Sequence, residues 1–202
     1  MGAPTNIERN AQGSFNIHLL KAYTAQEFNE FCKLNKELRI ERLANGNIIV
    51  TPPTHTATGG KNASIFGEVY IWNKKFQLGK MFDSSTGFTL ANQAVRAPDV
   101  SWIEKSRWAA ISQIERDDFA AICPDFVIEL RSASDSLLSV REKMEEYIAN
   151  GCRLAWLVDS AKKQTLVYSP DGSVLVVPFD QKLEGGDVLP GLEMTMSEVI
   201  TD

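Results

Sequence analysis

Disulfides, zinc sites and nucleotide loops are all poorly provided for in this sequence. Cysteine occurs three times, as Cys32, Cys123 and Cys152; the set is odd and scattered, and reads as reduced residues of a cytoplasmic protein. Two histidines, His18 and His55, lie far apart without metal-ligand spacing, which speaks against zinc. There is no Walker A loop and no GxGxxG turn. Ser84, Ser85 and Ser132 have no acid–base partners arranged for them, so a serine hydrolase is remote. No stretch approaches the roughly 18 apolar residues of a membrane span, and no membrane partner is expected. The start, MGAPTNIERN, lacks the apolar core of a signal peptide, and Asn6 misses the myristoylation pattern.

What is present is an ordinary globular composition, 202 residues with 44% hydrophobic and 23% charged. That length suits one domain, read as 17–202 behind a poorly ordered polar segment, 1–16. The net charge of −5 argues against indiscriminate electrostatic binding of nucleic acid. The charge is uneven: residues 1–110 carry +4 and 111–202 carry −9. Lys33, Lys36, Arg39 and Arg42, then Lys61, Lys74, Lys75 and Lys80, could contact phosphate or simply form a solvated surface.

Thr24 followed by Glu27 is a capping box, and Phe28, Phe31 and Leu34 make the first helix amphipathic. ELRIERL and NIIVT, joined by Ala-Asn-Gly-Asn, read as a hairpin. Ile65, Val69 and Trp72 mark a helix over 60–77, followed by short β candidates at MFDSSTGFTL and PDVSWI and a helical excursion over 105–119. PDFVIELRS is apolar on both faces, as a central strand should be. Ser134 or Asp135 caps a helix reaching Asn150, with Gly151 behind it. RLAWLVD is another buried strand, and QTLVYS and SVLVVP form a hairpin about Pro170-Asp171-Gly172. Trp72, Trp102, Trp108 and Trp156 read as core or interface aromatics. The fold class is α+β, a central mixed sheet flanked by helices with an added N-terminal helix and hairpins.

Two strands begin with Pro-Asp, at Asp99 and at Asp125, and the second contains Glu129 with Arg131 two residues on. If the strands pair antiparallel with Ile103 near Asp125, Asp99 comes to lie near Glu129; sequence alone does not fix that register. Two carboxylates held close repel unless one is protonated or a cation lies between them. A hard ion such as Mg²⁺ is held by one or two carboxylates while keeping waters. Such an ion can activate water against a phosphodiester. A cation is then needed at the transition state. Arg131 is one candidate, though a guanidinium is a poor proton acceptor. Lys143 is the other: on a helical wheel it sits just beyond the Tyr147 edge of the apolar arc, with Glu142 and Glu146 pointing away. Spacing alone also suits a snorkelling boundary lysine.

Asp99 with Glu129-Leu130-Arg131 resembles the PD-(D/E)XK nuclease superfamily. More closely, the chain is similar to the Uma family of restriction endonucleases. The similarity runs through the hairpin with Glu41 and Gly46, FDSSTGFTL, APDVSW, PDFVIELRSASDSL, KMEEYIANG, RLAWLVD and DVLPGLEM, about 17–195. The resemblance implies a restriction-endonuclease-like core and Mg²⁺-dependent cleavage of DNA, Mn²⁺ substituting. Asp99 and Glu129 match the two metal-binding acids. Arg131 stands where the superfamily has lysine, and Lys143 matches the helical lysine that replaces it. Glu68 is a loose match to an acid from the first core helix; Glu41 reads as hairpin structure and Asp125 as a strand start. The expectation is a DNA endonuclease with Asp99 and Glu129 on the metal, Lys143 assisting catalysis and Arg131 on phosphate, and a homodimer where both strands are cut. The alternative is a nuclease-fold protein that binds nucleic acid or a protein partner without cutting it.

Overall fold

The computed structural model of the chain describes residues 4–9, 13–19, 21–132 and 135–201. The chain begins with β1 (Pro4–Arg9), β2 (Phe15–Leu19), α1 (Ala25–Leu34), β3 (Arg39–Arg42) and β4 (Ile48–Thr51). The long helix α2 (Thr56–Phe76) leads to β5 (Gly79–Asp83), β6 (Phe88–Thr89), β7 (Val95–Arg96) and β8 (Val100–Glu104). Two short helices, α3 (Lys105–Ala110) and α4 (Gln113–Arg116), precede β9 (Phe126–Arg131), α5 (Leu137–Ala149) and β10 (Leu154–Asp159). The remainder includes β11 (Gln164–Tyr168) and β12 (Val174–Pro178), which form the expected C-terminal hairpin.

Two six-stranded sheets result, in the orders β1-β2-β4-β3-β7-β6 and β12-β11-β10-β9-β8-β5. In the second sheet β9 and β10 are parallel and the other pairs antiparallel. A parallel neighbour needs a crossover, and α5 supplies it. All six residues of β10 and five of six in β9 are buried, because α2 covers one face and α5 the other.

Alternation along β8 and β9 divides the core into two. Val100 and Trp102, with Phe126, Ile128 and Leu130, pack against Ile65, Val69 and Trp72 of α2. Val127 turns the other way, onto Met144 and Tyr147 of α5. Burying each large apolar side chain contributes about 1.5–3 kcal/mol, so both faces hold their helices firmly. The indoles also have polar partners: Trp72 Nε1 donates to the Pro190 carbonyl and Trp102 Nε1 to Asn73 Oδ1, at 3.0 and 2.9 Å. Gly79 permits this packing, since a Cβ there would run into the Ile103 carbonyl and the Trp102 ring.

Three local expectations change. Of the segment 1–16, residues 1–3 and 10–12 lie outside the described residues, but Pro4–Arg9 pairs antiparallel with β2 and extends the first sheet. Gly13, at φ +83, sits just before β2. The helix cap is Ser136, whose hydroxyl accepts from Ser139 N. Ser134 lies outside the described residues, and the Asp135 carboxylate instead accepts from Ser132 N at 2.7 Å. The expected hairpin grows into a full sheet because β3 also pairs with β7. Among the described residues no helix is long and apolar enough to cross a membrane.

Candidate active site

Strand register sets the first two groups. Val100 pairs with Ile128 and Ser101 with Val127, so the same ladder continued by one residue opposes Asp99 to Glu129. This is the register supposed from the sequence. Asp99 closes that end of the ladder, with Oδ2 accepting from Leu130 N at 2.9 Å. Its other oxygen lies 3.4 Å from the Arg39 guanidinium. Glu129 shares the Val127 face of β9 and therefore faces α5.

From α5, Lys143 Nζ approaches Glu129 Oε1 at 2.8 Å, and Tyr147 donates its hydroxyl to the same oxygen at 3.0 Å. Residues four apart share a helix face, which is why both arrive together. The other oxygen, Glu129 Oε2, carries no hydrogen bond among the described residues, and Glu129 and Asp99 both border a cleft of about 590 Å³. The first sheet forms the opposite wall of this cleft. Arg39 and Glu41 alternate onto one face of β3 and both line it.

Glu41 is the largest surprise of the site. It is 7% exposed and accepts from Lys143 Nζ at 3.0 Å, Ala97 N at 2.8 Å and Arg96 Nη1 at 3.2 Å. Arg96 also binds Glu146 at 2.6 Å. Glu146 therefore does not point away, as the wheel suggested; the flank of α5 beyond Lys143 meets the first sheet rather than solvent. Lys143 thus lies between acids of two different sheets, Glu129 and Glu41.

This arrangement separates the two glutamates electrostatically. Burial pushes the Glu129 carboxyl up and the Asp99 and Glu41 charges add to it; Lys143 pulls it back, leaving it at about 7. Burial acts on Glu41 too, but Lys143, Arg96 and the Ala97 N–H outweigh it and hold the carboxyl at about 2. For Lys143 the cost of burial is exceeded by Glu129 and Glu41, so its ammonium is held more tightly than usual. Burial, with the same two carboxylates, pushes the Tyr147 hydroxyl well up and keeps it a donor.

Asp99 and Glu129 are the side chains here that could hold a metal. Among the described residues no cluster of three or more His, Cys, Asp or Glu is arranged to bind one. Two carboxylates with an uncommitted oxygen on the cleft suit a hard cation that retains several waters, such as Mg²⁺.

Other expected residues stand elsewhere. Arg131 leaves the cleft: its Nη1 lies 3.1 and 3.0 Å from the two oxygens of Asp159, directly across the β9–β10 ladder, and its Nε donates to the Asp135 carbonyl. Asp159 is fully buried and needs a counter-charge, which draws the guanidinium away from any phosphate. Arg131→Lys should therefore lower the melting temperature, since lysine keeps the charge but not the fork. An unchanged melting temperature would show that the Arg131–Asp159 fork contributes little to the fold. Asp125 sits at the other end of β9, accepting from Glu104 N and paired with Arg107 at 2.7 Å. Glu68 is on the exposed face of α2; Thr58 and Asn62 are the α2 residues that reach the cleft.

The profile of the family Uma2, described as "Putative restriction endonuclease", matches residues 25–197. The chain belongs to this family. The Uma2 match covers α1, both walls of the cleft and β8 to β12, so every residue of the Asp99–Glu129–Lys143–Glu41 group lies inside it. Among solved structures, the chain is similar to a "putative nuclease belonging to DUF820" from Anabaena variabilis. The TM-score is 0.72 at 20% identity over 88% of this chain and 97% of that one. The likeness establishes a shared fold, restriction-endonuclease-like. No curated protein matches the chain.

Proposed function

We propose that this Uma2-family chain is a Mg²⁺-dependent DNA endonuclease whose metal ligands are Asp99 and Glu129 and whose catalytic cation is Lys143. The observation that carries the reading is the cross-strand opposition of Asp99 and Glu129 with the Lys143 ammonium on the same glutamate, at the edge of an open cleft. A bound Mg²⁺ would supply Lewis-acid polarisation of the phosphodiester and a more acidic water. Burial, with the Asp99 and Glu41 charges, raises Glu129, so a divalent charge beside it would relieve that repulsion. Asp99 is held in place by Leu130 N, which fixes one oxygen and leaves the other on a loose contact with Arg39. Arg39 offers its charge to phosphate at the same point.

Lys143 remains protonated in this setting. It stabilises the negative charge that grows on the phosphate and leaving oxygens instead of accepting a proton from water. Glu41 would keep the ammonium anchored with Glu129 engaged on a metal. Cutting both strands calls for two such sites, and a homodimer belongs to this reading, to be checked by sedimentation.

The test is nicking of supercoiled plasmid with Mg²⁺ or Mn²⁺ by wild type, Glu129→Ala and Lys143→Ala protein prepared in parallel. Wild type should nick, and each variant should lose at least about a hundredfold in rate. Equal nicking by all three would assign the activity to a contaminant and end the proposal.

A further inference from the structure

At the far end of α2 a second hollow, of about 360 Å³, is bordered by Lys74, Lys80 and Lys105 together with Tyr70, Asn73 and Trp108. Among the described residues no acidic side chain borders it. The three lysines come from separate elements, α2, β5 and α3, and none has an ion-pair partner among the described residues. The contrast with the cleft is complete, since Arg39, Arg96 and Lys143 are all paired there.

Lys74 alone would be explained by the negative end of the α2 dipole. Lys80 and Lys105 have no such reason to converge. Three unpaired ammonium groups around one hollow repel each other, and an anion brought between them removes that repulsion. Tyr70, half exposed beside them, adds a ring and a hydroxyl for a sugar–phosphate strand.

The position relative to the cleft indicates which anion. Asn62 borders the cleft and Asn73 the hollow. Eleven residues apart on one helix, they fall within about 20° of each other and roughly 17 Å apart along the axis. With Thr58, Tyr70, Lys74 and Gln77 included, the two sites are centred within about a quarter turn of each other on one broad flank of α2. Duplex DNA rises about 3.4 Å per base pair, so a duplex lying along that flank would carry its backbone from cleft to hollow in about five base pairs.

We propose that Lys74, Lys80 and Lys105 form an auxiliary site for the phosphodiester backbone of DNA, gripping the duplex about five base pairs from the point of cleavage. The identity of the polymer rests on the nuclease reading above; the site itself does not depend on cleavage. It also shows how an acidic protein can hold DNA, through a local cationic grip in place of a positive surface.

The experiment measures anisotropy of a labelled duplex of about 20 base pairs against salt, in EDTA, for wild type and the Lys74→Ala/Lys80→Ala/Lys105→Ala protein. The triple variant should bind at least about tenfold more weakly at low salt, with a log–log salt slope shallower by about 2–3. Lys21→Ala/Lys162→Ala, which removes exposed lysines elsewhere, should leave the long-duplex affinity nearly unchanged. Equal affinity and slope for wild type and the triple variant would overturn the proposal, as would failure of wild type to bind the long duplex. Plasmid nicking is read separately. Lysine-dependent binding without nicking would sink the nuclease reading and keep this site, whereas nicking with lysine-independent binding would do the reverse.

Discussion

Replacing Glu129 with glutamine is expected to abolish metal-dependent cleavage and, at pH 8, to make the metal-free protein more stable than wild type. The two effects share a cause. In the folded chain the Glu129 carboxyl is raised to about 7 from its ordinary 4.5, chiefly by burial. A carboxyl that holds its proton more tightly folded than unfolded contributes stability fully below pH 4.5, and that contribution is lost as pH climbs through 7. By pH 8 the loss is on the order of 3 kcal/mol. Glutamine keeps an oxygen for Tyr147 and Lys143 and removes the charge, so the variant should melt above wild type at pH 8, with the gap closing towards pH 4.5. Cleavage should fall by more than the roughly 10–100-fold that loss of a mere outer-shell partner costs. A variant no more stable than wild type at pH 8 would overturn this account of the site.

Glu41 carries the opposite sign. Its carboxyl is lowered to about 2, with Lys143 and Arg96 outweighing burial, so it stabilises the fold above pH 4.5 and that stability is lost as pH falls towards 2. Glu41→Gln should therefore destabilise at pH 7, and its difference from wild type should shrink in thermal melts taken from pH 4.5 down towards 2. One glutamate of the pair is held by the fold at a cost, and the other repays part of it.

How much of this could be read in advance follows from what each residue's neighbours are. Asp99 and Glu129 were legible as a pair only under an assumed antiparallel register, and the β8–β9 ladder, with Asp99 just before β8, has that register. Lys143 was legible only as a boundary residue, since a wheel describes one helix and not the sheet opposite. Glu41 read as hairpin structure because nothing in ELRIERL indicates that β3 pairs with β7 and so brings its face over α5. The Arg39–Glu41 alternation, with Arg96 three residues before Asp99, was the available hint. Arg131 misled for a related reason: its position suits phosphate, and the buried Asp159 that claims it lies 28 residues on, across a parallel ladder. Local pattern gave the elements; contacts between sheets decided which charges meet.

Lys143→Ala should be the most destabilising substitution in the site, by about 3–5 kcal/mol at pH 8, because two buried carboxylates lose their shared cation. Lowering the pH below 7 should recover part of that loss, since Glu129 can then take a proton in place of the missing ammonium. Stability and catalysis must be separated before any loss of cleavage is credited to chemistry. The double variant Lys143→Met/Glu41→Gln does this: it removes a cation and an anion together and leaves the raised Glu129 with its Tyr147 hydrogen bond. Its destabilisation, from urea melts, should be smaller than the sum of the two single losses by at least about 1 kcal/mol. If the double variant is folded at assay temperature and still fails to nick DNA, Lys143 acts on the reaction itself; if nicking returns with stability, the lysine only holds the two sheets together.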